Sequence, residues 1–165
     1  MRGRGFDLPI LEAAFTNYII SQGLRDRLQF RAGNFFTDRL PEADVLIFGR
    51  ILHNWDIETR KLLLNKAFQA LPDGGALIVY DPLIDEMRAE PHGLLSSLNM
   101  LIETQAGSEY TSADCMEWMR GVGFTECRVE PLDDLHTSII GIKPHASSVA
   151  RNQRSREGTS KNTGI

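Results

Sequence analysis

Three side chains have the types and the placing for proton chemistry: His53, Asp81 and Glu109. His53 lies in Ile51-Leu52-His53-Asn54-Trp55-Asp56. That stretch falls between the apolar run Val45-Leu46-Ile47-Phe48 and an amphipathic helical pattern from Ile57 to Leu71. Open α/β sheets build their sites there, where the carboxyl end of a strand turns into a helix. Histidine is the side chain whose ordinary pKa suits it to take a proton near neutrality, here from a substrate hydroxyl. An exposed or carbonyl-bound histidine at a helix start would look the same. Asp81 ends the fourth strand on the same carboxyl edge. Beside His53 it would orient the imidazole and stabilise its protonated form; alone it would cap the turn before Pro82. Glu109 falls in the polar turn Ala106-Gly107-Ser108-Glu109-Tyr110-Thr111 and from spacing alone reads as a solvated loop acid.

Other chemistries find less support. Asp7 ends the first strand, where such folds hold a ribose through its hydroxyls. The glycine-rich turn that normally accompanies such an acid does not occur, and neither does a P-loop. Gly33-Asn34-Phe35 could present an amide and a ring to an adenine. His53, His92, His136 and His145 are too scattered for a metal site, and no G-x-S-x-G marks a serine nucleophile. Cys115 and Cys127 are too few and too far apart for a thiol metal motif. A reduced, cytoplasmic setting is expected.

The elements that must position these residues alternate. Residues 3–8 read as a strand stopped by Pro9, and 10–21 as a helix with Ile10, Ala14, Tyr18 and Ile19 on one face, ended by Gly23. Residues 28–32 are the second strand. Residues 44–49 are the third, with a continuous apolar run that suits a strand covered on both faces. Asp56 caps the next helix, whose buried stripe is Leu62, Leu63, Ala67, Phe68 and Leu71. The turn Pro72-Asp73-Gly74-Gly75 leads into the fourth strand, 76–81. A charged connection, 82–91, precedes a helix over 93–104 rich in Leu and Met. Thr111, with Asp114, caps another helix that ends near Gly121-Val122-Gly123. Strands over 124–130 and 136–143, joined by an acidic turn at Asp133-Asp134, make an antiparallel end. The alternation predicts an α/β fold with a parallel sheet.

At 165 residues the chain is the size of one ordinary domain. Its net charge of −4 gives no basic field for nucleic acid. No segment reaches the roughly 18 apolar residues of a membrane span, and the first residues hold no signal-peptide core. Two domains are expected, a folded part over 1–145 and a disordered polar tail over 146–165, where apolar residues almost vanish.

The chain resembles the catalytic domain of S-adenosylmethionine-dependent O-methyltransferases of the plant caffeate/flavonoid and bacterial hydroxyneurosporene/acetylserotonin kind. The resemblance rests on Gly5-Phe6-Asp7-Leu8-Pro9, Gly33-Asn34-Phe35-Phe36, Ile51 to Asp56, Leu71 to Gly75 with Leu77 to Asp81, and Glu109-Tyr110-Thr111 before Gly121-Val122-Gly123-Phe124. These fall in the family's order across about residues 3–143. It implies a Rossmann-like class I methyltransferase sheet with helices on both faces and an antiparallel C-terminal strand pair. It also implies that the central first strand, its glycine-rich loop and the N-terminal helical domain that forms the family's homodimer are missing.

The implied roles are His53 as general base, flanked by Asp81 and Glu109, with Asp7, Asn34, Phe35 and Arg50 binding S-adenosyl-L-methionine. Asn34 stands where the family usually has an aspartate against adenine, and Asn54 where it usually has one after the histidine. The implied reaction methylates a hydroxyl of a small aromatic or polyketide-like molecule, with turnover impaired in this truncated form. The alternative is a non-catalytic methyltransferase remnant that pairs through an exposed sheet edge or through its apolar 94–102 face. No metal, nucleic-acid or membrane partner is expected.

Overall fold

A computed structural model describes residues 1–132 and 137–146. The acidic turn at 133–134, His136 and all but the first residue of the 146–165 tail lie outside them. The described chain divides into two compact units, one over Met1–Pro41 and the other beginning at Glu42.

The first unit is a single β-α-β turn of structure. Strand β1 (Gly3–Asp7) pairs in parallel with β2 (Leu28–Ala32). Between them run a short 3-10 turn, Pro9–Leu11, and helix α1, Glu12–Ser21. Gly23 ends the helix region with φ +65°, a left-handed conformation that costs glycine little. Gly5 is small because the Phe15 ring lies where a Cβ would be, 2.5 Å away. Phe15 in turn packs its ring 5.4 Å from that of Phe30. The face expected for α1 is only partly covered. Ile19 is buried, whereas Ile10 and Tyr18 are exposed: a two-stranded sheet offers one helix too narrow a surface to hide a whole stripe.

The second unit is a four-stranded sheet in the order β3-β4-β6-β5. Strands β3 (Val45–Gly49) and β4 (Ala76–Asp81) are parallel, and β6 (Thr137–Ile142) runs antiparallel to both β4 and β5 (Thr125–Pro131). Helices α2 (Ile57–Ala70), α3 (Pro91–Glu103) and α4 (Ser112–Gly121) complete it. Central β4 buries Leu77 and Val79 fully, and Leu52, Leu63, Leu64, Ala67, Leu71, Cys115, Met119, Phe124 and Ile139 pack around them. The stripe of α2 is rotated from the expected one. Leu62 is exposed, and the buried face runs through Arg60, Leu63, Leu64 and Ala67. In β3 the continuous apolar run does not mean two covered faces, since Val45 and Ile47 are exposed. Val45 and Ile47 point to one face, and that face is left uncovered; among the described residues β3 pairs with β4 alone, and β1 with β2 alone.

Two caps aim the loops that carry the functional residues. Asp56 accepts from the Thr59 amide at 2.8 Å and starts α2 just after His53. Thr111 starts α4 just after Glu109 through a complete capping box. Its hydroxyl accepts from the Asp114 amide, and the Asp114 carboxylate accepts from the Thr111 amide, both at 3.1 Å. Replacing Thr111 by Ala is expected to lower unfolding free energy by about 1 kcal/mol, and by Ser to leave most of it. Urea denaturation of the three proteins checks this.

Candidate active site

His53 is carried on a 3-10 turn, Leu52–Asn54, at the carboxyl end of β3. The strand leaves its ladder through Arg50, which takes φ 54°, a conformation uncommon for a residue with a side chain. The Asn54 amide donates to the carbonyls of Arg50 at 2.9 Å and Ile51 at 3.3 Å. A carboxylate could donate to neither. The neutral residue at 54 thus braces the turn that presents His53.

The His53 ring is 2 % exposed. Its Nδ1 lies 2.9 Å from Glu109 Oε1. Glu109 is buried as well, not the solvated loop acid its spacing suggested. With the carboxylate as acceptor, Nδ1 carries the proton and Nε2 is left as the ring's acceptor. The same Glu109 oxygen accepts from Ser96 Oγ on α3 at 2.8 Å, and the Glu109 amide donates to Ser97 Oγ at 3.1 Å. The two chain segments also join directly, the Ser108 amide donating to the His53 carbonyl at 2.9 Å.

Asp81, at the end of β4, is fully buried. It does not hold the ring: its Oδ2 accepts from the Tyr110 hydroxyl at 2.5 Å, and it acts on His53 through charge. Burial would push the His53 pKa down. The hydrogen bond to Glu109 and the charges of Asp81 and Glu109 outweigh burial and the opposing Arg50, so the pKa is raised from 6.5. Burial pushes Asp81 up to about 6, against the Tyr110 hydrogen bond and the nearby His53. Asp81 Oδ1 and Glu109 Oε2 are buried with no hydrogen-bond partner, which leaves two acceptors for a docked polar group.

Arg60, Tyr110 and the serines of α3 were missed from sequence. The signal for Arg60 was present, since it stands three and four residues before Leu63 and Leu64 on the apolar face of α2. Nothing comparable marks Ser96 or Ser97, whose role comes from how α3 meets the Glu109 loop.

Asp7, Asn34 and Phe35 belong to the first unit. Asp7 Oδ1 accepts from the Leu8 amide at 2.7 Å at the end of β1. The Asp7 carbonyl accepts from the Gly33 amide at 2.9 Å, so the carboxyl ends of β1 and β2 bring Asp7 and Asn34 to one edge. Asn34 Oδ1, expected to meet an adenine amine, already accepts from the Phe36 amide at 2.9 Å, and the Asn34 amide donates to Asp38 Oδ2 at 2.9 Å. The side-chain NH2 is therefore the more available face of Asn34. Among the described residues no group of His, Cys, Asp and Glu could hold a metal ion, and no helix is long and apolar enough to cross a membrane.

The α/β sheet thus carries a buried histidine-carboxylate pair at its carboxyl edge. Residues 1–125 match the O-methyltransferase domain family, and the chain belongs to that family. It is 43% identical to the tetracenomycin polyketide synthesis 8-O-methyl transferase TcmO of Streptomyces glaucescens, over 87% of this chain and 43% of that one. It is 34% identical to the N,N-dimethyltransferase OxyT of Streptomyces rimosus, over 87% and 42%. Among solved structures it superposes on human N-acetylserotonin methyltransferase in complex with SAM at a TM-score of 0.80, with 29% identity over 87% of this chain and 41% of that one. The chain thus spans about two fifths of the length of these relatives.

Two substitutions probe the site. Asp81→Asn should remove a pH dependence of stability. With its pKa raised from 3.8 to about 6, native Asp81 binds its proton more tightly than the unfolded chain does. Stability therefore falls as pH rises through that window, by on the order of 3 kcal/mol. Denaturant midpoints between pH 4 and 6.5 should show this fall in the parent minus that in the variant. Asn54→Asp should cost about 1 kcal/mol of stability, because it turns two donated hydrogen bonds into oxygen-oxygen contacts; thermal unfolding at neutral pH reads it.

Proposed function

We propose that this chain is the base-carrying part of an S-adenosylmethionine-dependent O-methyltransferase that methylates a hydroxyl of a small aromatic or polyketide-like molecule. The observation that carries the reading is the buried pair of His53 Nδ1 and Glu109 Oε1 at 2.9 Å. It leaves Nε2 as a proton acceptor inside a site largely withdrawn from water. The similarity to a polyketide 8-O-methyl transferase at 43% identity supports oxygen as the acceptor and a polyketide as the substrate class.

The residues present fit the nucleoside part of the methyl donor. Asp7 offers a carboxylate at the end of β1 for a ribose, and Asn34 and Phe35 offer an amide and a ring at the end of β2 for an adenine. S-adenosylmethionine, when bound, supplies a methyl group on a sulfonium to the acceptor oxygen. This chain's own residues do the rest. Glu109 fixes the ring tautomer and orientation. His53 Nε2 takes the hydroxyl proton. Asp81 and Glu109 stabilise the imidazolium that results, as their raising effect on the His53 pKa reflects. The ring must be neutral to act, so the rate should rise with pH through its pKa, above 6.5, and level off beyond it.

The test is methyl transfer by the chain from labelled S-adenosylmethionine to a panel of phenolic and polyketide hydroxyls, together with a binding titration of the donor. Label in a methyl ether is expected, with transfer reduced by His53→Gln at least 100-fold, the order that a positioned general base contributes, while donor affinity is kept. Label transfer unaffected by His53→Gln would remove the base assignment. No heat or chemical-shift change at millimolar donor would remove the cofactor reading for this chain. The alternative, a non-catalytic interaction module, is favoured by the exposed Leu94, Leu95, Leu98, Leu101 and Ile102 of α3; methyl transfer that depends on His53 would remove it.

A further inference from the structure

Arg60 is a fully enclosed cation on a helix face otherwise made of Leu63, Leu64 and Ala67. Taking a guanidinium out of water is costly unless its donors are satisfied. Here they are. Nε donates to the Leu52 carbonyl at 3.0 Å; Nη2 donates to the Ser108 carbonyl at 2.6 Å and to Ser108 Oγ at 3.0 Å. Its planar face lies over the rings of Tyr110 at 4.8 Å and Trp118 at 5.3 Å, a favourable placing for a cation.

The two anchored residues have a common property. Leu52 immediately precedes His53, and Ser108 immediately precedes Glu109. The fork therefore spans the two backbone segments that carry the pair, alongside the single main-chain bond from Ser108 to the His53 carbonyl. Resting on the function proposed above, we infer that Arg60 is a positioning residue: its guanidinium clamps the His53 and Glu109 segments at the spacing that lets Nδ1 bond Oε1. None of its hydrogen bonds goes to the imidazole. A purely structural anchor could hold the helix without affecting the pair; a clamp could not be loosened without weakening the Nδ1–Oε1 bond.

Arg60→Lys separates the two. It keeps the positive charge near Asp81 and Glu109 but loses the planar fork, so one ammonium cannot span both carbonyls. Burial, the hydrogen bond and charge of Glu109, and the charges of Asp81 and Arg50 set the His53 proton affinity, and Arg60→Lys substitutes none of these three residues. NMR titration of the full chain, with the His53 signal identified by its loss in His53→Gln, reads the result without any substrate. A His53 midpoint lower in Arg60→Lys than in the parent is expected, and no further lowering when Glu109→Gln is already present. If the chain transfers methyl groups, kcat should fall while KM for the donor holds.

A lowered melting temperature with an unmoved His53 midpoint would overturn the clamp and leave Arg60 as packing. Should Arg60→Lys not fold, Arg60→Gln keeps one planar NH2, which can reach one of the two carbonyls but not both. A lowered midpoint supports the clamp, and an unmoved midpoint overturns it. Absence of methyl transfer would count against the proposed function and not against the clamp, which the midpoint decides alone.

Discussion

The second unit depends on one buried hydrogen bond, between His53 Nδ1 and Glu109 Oε1. A histidine and a carboxylate this far from water are tolerated only if each is paired and the pair is supported. The surrounding architecture supplies the support. The 3-10 turn after β3 brings the histidine, and the capping box of α4 ends the loop that brings the glutamate. Helix α3 adds Ser96 to the same carboxylate oxygen. Arg60 crosses from α2 to both loops. Four elements that share little sequence logic thus converge on two side chains.

The cluster has unequal members. Glu109 is a geometric partner of the ring, whereas Asp81 is an electrostatic one tied to Tyr110. Both carboxylates keep one oxygen with no partner in a buried place. Such unpaired atoms are uncommon in folded proteins and concentrate where chemistry is done. Burial alone would make this a poor base by pushing the imidazole pKa down; the two acids reverse the direction. The site therefore combines exclusion of water with a ring that still holds its proton firmly once taken.

Helix α3 shows how one element serves two environments. Ser96 and Ser97 meet Glu109, and Gly93 and Met100 are buried, while Leu95, Leu98, Leu101 and Ile102 are exposed. The edge of β3 is similarly uncovered at Val45 and Ile47.

Local order was legible from the residues themselves. Alternating apolar periodicity gave the strands and helices within a residue or two at most ends. Cap chemistry at Asp56 and Thr111 marked where α2 and α4 begin, because a capping bond is made between residues three apart in sequence. The motif around His53 identified the candidate base by its place after a strand. Partnership was not legible, because it is made between residues far apart in the chain. Placing favoured Asp81 as the ring's partner and read Glu109 as a solvated loop acid, and only the approach of the 107–109 segment to the 52–54 turn gave Glu109 the bond. Arg60 carries a charge on an apolar stripe, which sequence rules read as a solvated edge. Folding enclosed it, because carbonyls from two distant loops and two aromatic faces came within reach of one planar fork. The sequence by itself determined which residues could do chemistry and on which elements they ride. The tertiary structure decided which of them meet, since a buried polar group left wholly unpaired is costly and takes the partner that the packing brings.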